Sequence, residues 1–190
     1  MKKILLITLL LIPFLGFSQT TKPIEGFLGI KFGSSKAQVI AAVKAKGGSL
    51  YKDTVDELAF SGVRLGHLNS SILFVDFIDN KVYQAVFSFQ ADVDDKTIDY
   101  YNDLVSQVND IYGKGNSQKV FRSTFTDGDG YEITAIQQGD ADYTTIWEDS
   151  IQNTIEAKIN DHLYIDLIYQ DTNLTKQAIQ RFKDKEKGDF

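Results

Sequence analysis

The chain contains no cysteine, and it has only two histidines, one methionine and two prolines among its 190 residues. Without cysteine there is no thiolate nucleophile, no disulfide framework, no iron–sulfur cluster and no cysteine-based zinc site. Two histidines supply too few nitrogens for a histidine-rich metal centre. We therefore predict a protein without metal or cofactor, whose stability comes from the packing of its hydrophobic residues, 43% of the chain.

Residues 1–18 have the pattern of an export signal. Lys2 and Lys3 precede an apolar run from Ile4 to Phe17, and small residues stand at the two positions that a signal peptidase reads. The run is shorter than the roughly 20 apolar residues that a membrane span needs, and it contains a proline. No cysteine follows it, so the chain cannot carry a lipid anchor there. We predict a signal peptide over 1–18 and an exported protein, periplasmic or secreted, with no membrane span after cleavage.

The charge balance of the chain is acidic. Loss of the signal peptide removes Lys2 and Lys3 but no acid, which changes the formal net charge from −6 to −8. The remaining lysines and arginines are scattered among carboxylates, whereas nucleic-acid binding needs them clustered on one surface. We therefore exclude nucleic acid as a partner.

Two helices and a hairpin carry the clearest local signals. Ser35 followed by Gln38 is a capping box, and it predicts a helix over 35–46. Apolar residues at helical spacing predict a second helix over 95–112. Alternating apolar residues on both sides of Asp79-Asn80, with Tyr83 and Ala85 on the same apolar face, predict a β-hairpin. The other predicted elements are strands at 26–33, 58–65, 120–126, 131–137, 143–147, 154–159 and 163–169, and a charged helix at 174–187.

These elements predict an α+β fold in which helices pack on one face of an antiparallel sheet. After a leader at 19–25, residues 26–190 form a single domain. The hairpins at Ile78–Tyr83 and Ile159–Tyr164 share a pattern of apolar, turn and tyrosine residues 81 positions apart. This echo suggests a tandem of two helix-plus-β-meander units, although two unrelated hairpins can share so short a pattern. Those units would span 26–90 and 92–170.

Candidate metal and histidine sites lack the spacing that their chemistry needs. Asp127-Gly128-Asp129-Gly130 begins like a calcium loop, but the sixth position, which must be glycine, is Glu132. Because Asp-Gly between strand-like runs is a hairpin signal, we predict a structural turn there. His67 has no recognisable partner, and His162 and Asp166 on one strand would lie roughly 13 Å apart. We predict no metal site and no catalytic residue.

Most catalytic motifs are also missing. The sequence has no Gly-x-Ser-x-Gly elbow, no phosphate loop and no dinucleotide fingerprint. A carboxylate-pair mechanism needs only two acids about 5 to 10 Å apart, and 26 acidic residues leave it open. A carboxylate-dependent hydrolase is therefore one alternative to a binding function.

Aromatic residues on the predicted strands of the second half are candidates for a binding surface. A sheet covered by helices on one face exposes its other face, and tyrosine and tryptophan are favoured at interface hot spots. Tyr164 alternates with Leu163 and Ile165, which favours it as a surface residue. We predict Tyr143, Trp147 and Tyr164 as binding residues. The competing interpretation is that these side chains pack in the core.

The run FLGIKFGSSKAQV at residues 27–39 combines an apolar strand, a glycine, a serine cap and the Gln-Val start of a helix. It resembles the opening of the repeat unit in the beta-lactamase inhibitor proteins and, more loosely, the outer-membrane assembly lipoproteins of the SmpA/OmlA type. The resemblance implies a secreted or periplasmic helix-plus-meander module that binds other proteins through a sheet face.

The sequence as a whole favours binding over chemistry. We predict an exported, non-enzymatic binding or interaction module of the cell envelope, whose partner is an envelope protein or a small ligand. Two alternatives stay open. One is the carboxylate-dependent hydrolase, and the other is a structural subunit of an envelope complex, which would expose a large apolar patch.

Overall fold

The structure is a computed structural model that describes residues 22–188, so the predicted signal peptide lies outside the described residues. The first half contains, in chain order, β1 (Gly26–Phe27), β2 (Ile30–Lys31), α1 (Lys36–Ala45), β3 (Ser49–Asp53), β4 (Glu57–Ser61), β5 (Arg64–Leu65), β6 (Leu68–Asn69), β7 (Ile72–Ile78) and β8 (Lys81–Gln90). The second half contains a 3₁₀ turn (Asp94–Lys96), α2 (Thr97–Tyr112), β9 (Asn116–Phe121), α3 (Glu132–Gln137), β10 (Ala141–Glu148), β11 (Thr154–Ile159), β12 (Tyr164–Gln170) and α4 (Thr172–Gly188). None of the helices within 22–188 has the length and apolar character to cross a membrane.

Eight strands form one antiparallel sheet in the order β3-β4-β7-β8-β12-β11-β10-β9. Each half of the chain contributes a four-stranded meander that follows a helix, α1 in the first half and α2 in the second. The two meanders meet where β8 pairs with β12. The predicted α+β fold with an antiparallel sheet is confirmed.

One face of the sheet forms the hydrophobic core. At its centre Phe87 of β8 lies opposite Leu167 of β12, and both side chains are fully buried. Helix α1 lies against β3, and α2 lies against β11 and β12. Phe27, from the segment before α1, meets Phe87 edge-on at 6.1 Å between ring centroids. We call this side of the sheet the core face and the opposite side the outer face. Helix α4 lies against β7 and β8 near their turn, where Ile78, which alternates with Phe74 and Asp76 on the outer face, is buried outside the hydrophobic cluster of the core face.

A β-bulge at Tyr83 changes the order of side chains on β8. The pairing between β7 and β8 shifts between Asp76 and Phe77, which leaves Tyr83 without a partner on β7. Val82 is then fully buried, whereas Tyr83 is only half-buried. The prediction that Tyr83 shares the apolar face of Ala85 is therefore wrong, because a bulge breaks the two-residue period.

The two similar hairpins differ in register. Ile78 pairs with Lys81 across a tight turn, whereas Ile159 pairs with Ile165 across a longer connection. The residues of the sequence echo therefore do not occupy equivalent positions in the two hairpins, and a duplicated origin stays a prediction.

The locally encoded elements are confirmed. The Ser35 hydroxyl accepts from the Gln38 N–H, and the Gln38 side-chain oxygen accepts from the Ser35 N–H at 2.8 Å, so the capping box is complete. Helix α2 ends before Gly113. Asp79 and Asn80 both have positive φ, at 49° and 59°, as the tight hairpin turn requires.

The predicted strand at 131–137 is wrong, because this segment is helix α3. The Glu132 carboxylate accepts a hydrogen bond from the Gly128 N–H at 2.8 Å. The Asp129 carboxylate accepts two backbone N–H groups of the same loop, which lowers the pKa of Asp129. Asp127-Gly128-Asp129-Gly130 thus leads into a helix and does not form the predicted hairpin turn.

The segment 22–33, which we call the N-terminal strap, is also less regular than predicted. The strand expected at 26–33 is the small hairpin of β1 and β2, because Leu28 and Gly29 turn the chain with φ values of 49° and 79°. At Gly26, a Cβ atom would lie 1.9 Å from the carbonyl oxygen of Ile30. Only glycine permits this close approach, so Gly26 is a structural requirement of the strap.

Candidate functional site

The three aromatic residues predicted to bind a partner lie on different faces of the sheet. Tyr143 and Trp147 are on the core face, where they are 2% and 1% exposed. Burial raises the pKa of Tyr143 to about 12, and the Trp147 indole N–H donates to Asn109 Oδ1 at 3.0 Å. Their burial is contrary to the binding role predicted for them. Tyr164 lies on the outer face and is half-buried, so it alone of the three remains a surface candidate.

The outer face has an apolar stripe at its centre. Phe74, Val86 and Ile168 are neighbours in register on β7, β8 and β12. All three are partly exposed, and within residues 22–188 none of them belongs to the hydrophobic cluster of the core face. The same row continues through Glu156 to Ile146, which is 40% exposed. We call the residues Phe74, Val86, Ile168 and Ile146 the outer stripe.

Hydrogen-bonded side chains fix the border of the outer stripe on the side of the β7–β8 turn. Gln170 Nε2 donates to Gln84 Oε1 at 3.1 Å, and Gln84 Nε2 donates to Asp76 Oδ2 at 2.8 Å. These residues lie side by side on β12, β8 and β7. The chain of bonds holds all three side chains in place across the sheet.

A second polar row borders the stripe on its other side. The Ser88 hydroxyl donates to Asp166 Oδ1 at 2.5 Å, and Asn160 Nδ2 donates to Asp166 Oδ2 at 3.0 Å. Tyr164 lies two residues before Asp166 on β12 and pairs with Gln90 of β8. The outer stripe is thus framed by two rows of polar groups whose positions are fixed before any partner arrives.

The outer face is strongly acidic. Its strand residues include six carboxylates and three lysines, Lys52, Lys81 and Lys158, and alternation along each strand assigns them to this face. One lysine, Lys52, is already paired with Glu57 at 2.6 Å. A partner with lysine or arginine around an apolar group would complement this surface. The six carboxylates are Glu57, Asp76, Asp142, Glu148, Glu156 and Asp166.

Two of these carboxylates lie next to each other on neighbouring strands. Glu57 of β4 pairs in register with Asp76 of β7. Burial raises the pKa of Asp76, and the charge of Glu57 raises it further, whereas the hydrogen bond from Gln84 opposes the change. Burial also raises the pKa of nearby Tyr83 to about 12. This corner is the place on the outer face that comes nearest to the acid pair of a hydrolase.

Each of the two histidines lies near one aspartate. His67 Nε2 lies 3.5 Å from Asp103, and His162 Nε2 lies 3.9 Å from Asp161, with both imidazoles largely exposed. Across residues 22–188 no group of three histidine, aspartate or glutamate side chains is placed to hold a metal ion.

Comparison with models of known protein families, with curated proteins and with solved structures finds no significant match to this chain. The resemblance of residues 27–39 to envelope and inhibitor modules therefore stays a prediction.

Proposed function

We propose that this protein is an exported, non-enzymatic interaction module of the cell envelope that binds a partner protein through its outer face. The observation that carries the proposal is the outer stripe framed by two rows of fixed polar side chains. Protein interfaces commonly combine an apolar centre with a polar rim. Side chains that are already held by hydrogen bonds lose little conformational entropy when a partner binds.

The charge of the outer face indicates the kind of partner. Six carboxylates surround an apolar centre, so a favourable partner presents an apolar side chain flanked by lysine or arginine. Such complementarity speeds association and excludes acidic competitors. It also makes binding sensitive to salt, because the rim charges are at least partly exposed to solvent.

Placing a charge in the outer stripe should abolish partner binding. We expect Ile168→Asp to remove a specific set of envelope proteins from those captured by the tagged, processed chain, because a buried carboxylate at the centre of an interface is unfavourable. Val55→Asp is the matched control, since Val55 is 84% exposed in a loop away from the stripe. Quantitative mass spectrometry of the captured proteins, at low and high salt, measures the difference.

A second variant distinguishes a loss of binding from a loss of folding. Glu156→Lys reverses a charge beside Ile168 without touching the core face, and it should weaken the same captures while far-UV circular dichroism stays unchanged. Identical captures with wild type, Ile168→Asp and Val55→Asp would exclude the outer stripe as the binding site.

The hydrolase alternative has one specific observation in its favour, the neighbouring carboxylates of Glu57 and Asp76. A general acid needs a carboxyl whose pKa is raised by its surroundings, and Asp76 meets that condition. If the pair is catalytic, Asp76→Asn eliminates hydrolysis of the substrate. If the outer face only binds, Asp76→Asn leaves partner capture in place, because asparagine still offers an oxygen to Gln84.

Asp76→Asn should also stabilise the folded protein at neutral pH. Because the folded pKa of Asp76 is raised above 3.8, ionisation of this group opposes folding at any pH above the folded pKa. The gain from asparagine should therefore be full at pH 7, shrink as the pH falls through the folded pKa, and vanish below about 3.8. Urea unfolding of both proteins across this range measures it.

The exposed Asp161→Asn is the control for this pH series. Asp161 lies in the turn between β11 and β12 with its side chain 64% exposed, so its replacement should change stability by less than about 0.5 kcal/mol. Equal urea midpoints for wild type and Asp76→Asn at pH 7 would contradict the burial of an ionised Asp76.

A further inference from the structure

The two edges of the eight-stranded sheet differ in how they are protected. At the β3 edge, a β-bulge at Tyr51 shifts the pairing between β3 and β4. Lys36 forms an ion pair with Asp53 at 2.6 Å and donates to the carbonyl of Thr54. Bulges and lysines at an edge prevent another strand from pairing there. The β3 edge is therefore closed.

The β9 edge has no such irregularity. β9 pairs with β10 in continuous register from Asn116 opposite Ile146 to Phe121 opposite Ala141. Its first five residues are exposed. A regular, exposed edge strand is a template for pairing with another chain.

The hydrogen-bond pattern shows which backbone groups of β9 point outward. The Arg122 N–H donates to the Asp140 carbonyl, one step beyond the last strand pair. Alternation then assigns Val120, Gln118 and Asn116 to bonding with β10. Ser117 and Lys119 direct their N–H and C=O groups away from the sheet, and within residues 22–188 these N–H groups have no backbone partner.

The Lys119 side chain does not block pairing of another strand at this edge. Its ammonium group lies 3.3 Å from Asp127 and 5.2 Å from the centroid of the Tyr143 ring. Both contacts hold the side chain against the core face. The strand edge itself is left open.

We propose that β9 pairs with β9 of a second copy of this chain, antiparallel and about a two-fold axis at Gln118. In this register Ser117 of each copy faces Lys119 of the other, and each such pair exchanges two backbone hydrogen bonds. On the outer face Val120 lies opposite Asn116 of the second copy, and the two Gln118 amides meet at the axis. No acidic side chain lies opposite another acidic side chain where the two β9 strands pair.

The neighbouring self-pairings are less favourable. A two-fold axis at Ser117 would pair only residues 116–118 within β9. A two-fold axis at Lys119 would place the two ammonium groups directly opposite each other, which is destabilising in a sheet. The axis at Gln118 avoids this contact. Because strand addition buries less surface than a standard interface, the dimer belongs to the weak class, with a Kd that is roughly micromolar or higher. Pairing would join the outer faces of both copies into one continuous surface.

Proline at position 117 tests the pairing without disturbing the sheet. The Ser117 N–H points outward, so Ser117→Pro removes a donor for the second copy and none for β10. Ser117→Ala is the matched control, because both variants lose the hydroxyl that lies 2.9 Å from Thr145 Oγ1 but only proline loses the N–H. In sedimentation equilibrium, we expect wild type and Ser117→Ala to dimerise and Ser117→Pro to weaken the dimer at least about tenfold.

A cysteine placed on the axis gives a second measurement. Facing residues of a non-hydrogen-bonded pair have Cα atoms about 4.5 Å apart, within disulfide range. Since the chain has no cysteine of its own, Gln118→Cys should form a disulfide-linked dimer on mild oxidation much faster than Val55→Cys, its exposed control. A wild type that stays monomeric at high concentration, a dimer that survives Ser117→Pro, or equal cross-linking of the two cysteines would overturn the proposal.

Discussion

Asp149→Ala is expected to lower the free energy of unfolding by about 3 to 5 kcal/mol, because it removes one carboxylate that serves three buried or partly buried backbone donors. Asp149 is 5% exposed. Its Oδ2 accepts from the Ile24 N–H at 2.9 Å, and its Oδ1 accepts from the N–H groups of Ile151 and Asn153 at 3.0 and 2.9 Å. Each orphaned donor costs roughly 1 to 3 kcal/mol.

The same carboxylate ties the N-terminal strap to the far half of the molecule. Ile24 is fully buried, and its carbonyl accepts from Asn153 Nδ2 at 2.9 Å. Loss of Asp149 should therefore free the strap as well as weaken the loop between β10 and β11. Urea unfolding measures the stability, and limited proteolysis measures release of the strap.

Asp149→Asn separates these two effects. Asparagine keeps one oxygen for the loop donors but turns an amide toward Ile24, so it should release the strap with a smaller loss of overall stability. A free energy of unfolding for Asp149→Ala within about 1 kcal/mol of wild type would contradict the anchoring role.

The parts of the fold that the sequence predicts are those encoded by neighbouring residues. The capping box of Ser35 and Gln38 and the turn of Asp79 and Asn80 depend on side chains and backbone within a few positions. The bulge at Tyr83 depends on how β8 meets β7, so the alternation of residues along one strand cannot reveal it. The sequence does not reveal helix α3, because Asp-Gly pairs occur both in hairpin turns and in loops that precede helices.

The side of β10 that faces the core could have been predicted. Asp142 and Glu148 alternate with Tyr143 and Trp147, so the pattern of polar residues already assigns the two aromatic side chains to the apolar face. The binding role predicted for Tyr143 and Trp147 rests on residue type, whereas the alternation along β10 indicates the core. For Tyr164 the alternation with Ile165 indicated the outer face correctly.

The frame of the outer stripe could not be predicted in this way. Gln84 and Gln170 are 86 positions apart and meet only because β8 pairs with β12. Ser88 and Asp166 depend on the same pairing. A sequence pattern predicts which face a residue occupies, but the partner across the sheet depends on strand order.

Trp147→Ala is expected to lower the free energy of unfolding by about 3 to 5 kcal/mol, the usual cost of deleting a large buried aromatic side chain. Trp147 is 1% exposed and joins β10 to the end of α2. Its indole N–H donates to Asn109 Oδ1 and to the Gly113 carbonyl, both at 3.0 Å. Because Asn109 Oδ1 also accepts the Gly115 N–H at 2.9 Å, loss of the indole loosens the connection between α2 and β9.

Trp147→Phe isolates the hydrogen bonds from the packing. Phenylalanine keeps most of the apolar volume but cannot donate, so we expect a loss of stability that is smaller than for alanine. Far-UV circular dichroism during urea unfolding is the measurement, because the variants remove the only tryptophan of the chain. Equal stability of wild type and Trp147→Phe would exclude a structural role for the two indole hydrogen bonds.

A glycine next to the indole provides an independent test of this packing. A Cβ on Gly115 would lie 2.6 Å from Trp147 Cε2 and 2.7 Å from its Nε1, so Gly115→Ala should destabilise the wild-type protein. These indole atoms are absent from phenylalanine, so the added methyl group should cost less in a Trp147→Phe background, although the nearby Thr145 Cγ2 at 2.7 Å prevents full relief. A double-mutant cycle measures this difference, and strictly additive losses would show that Gly115 and Trp147 do not share the space that the structure gives them.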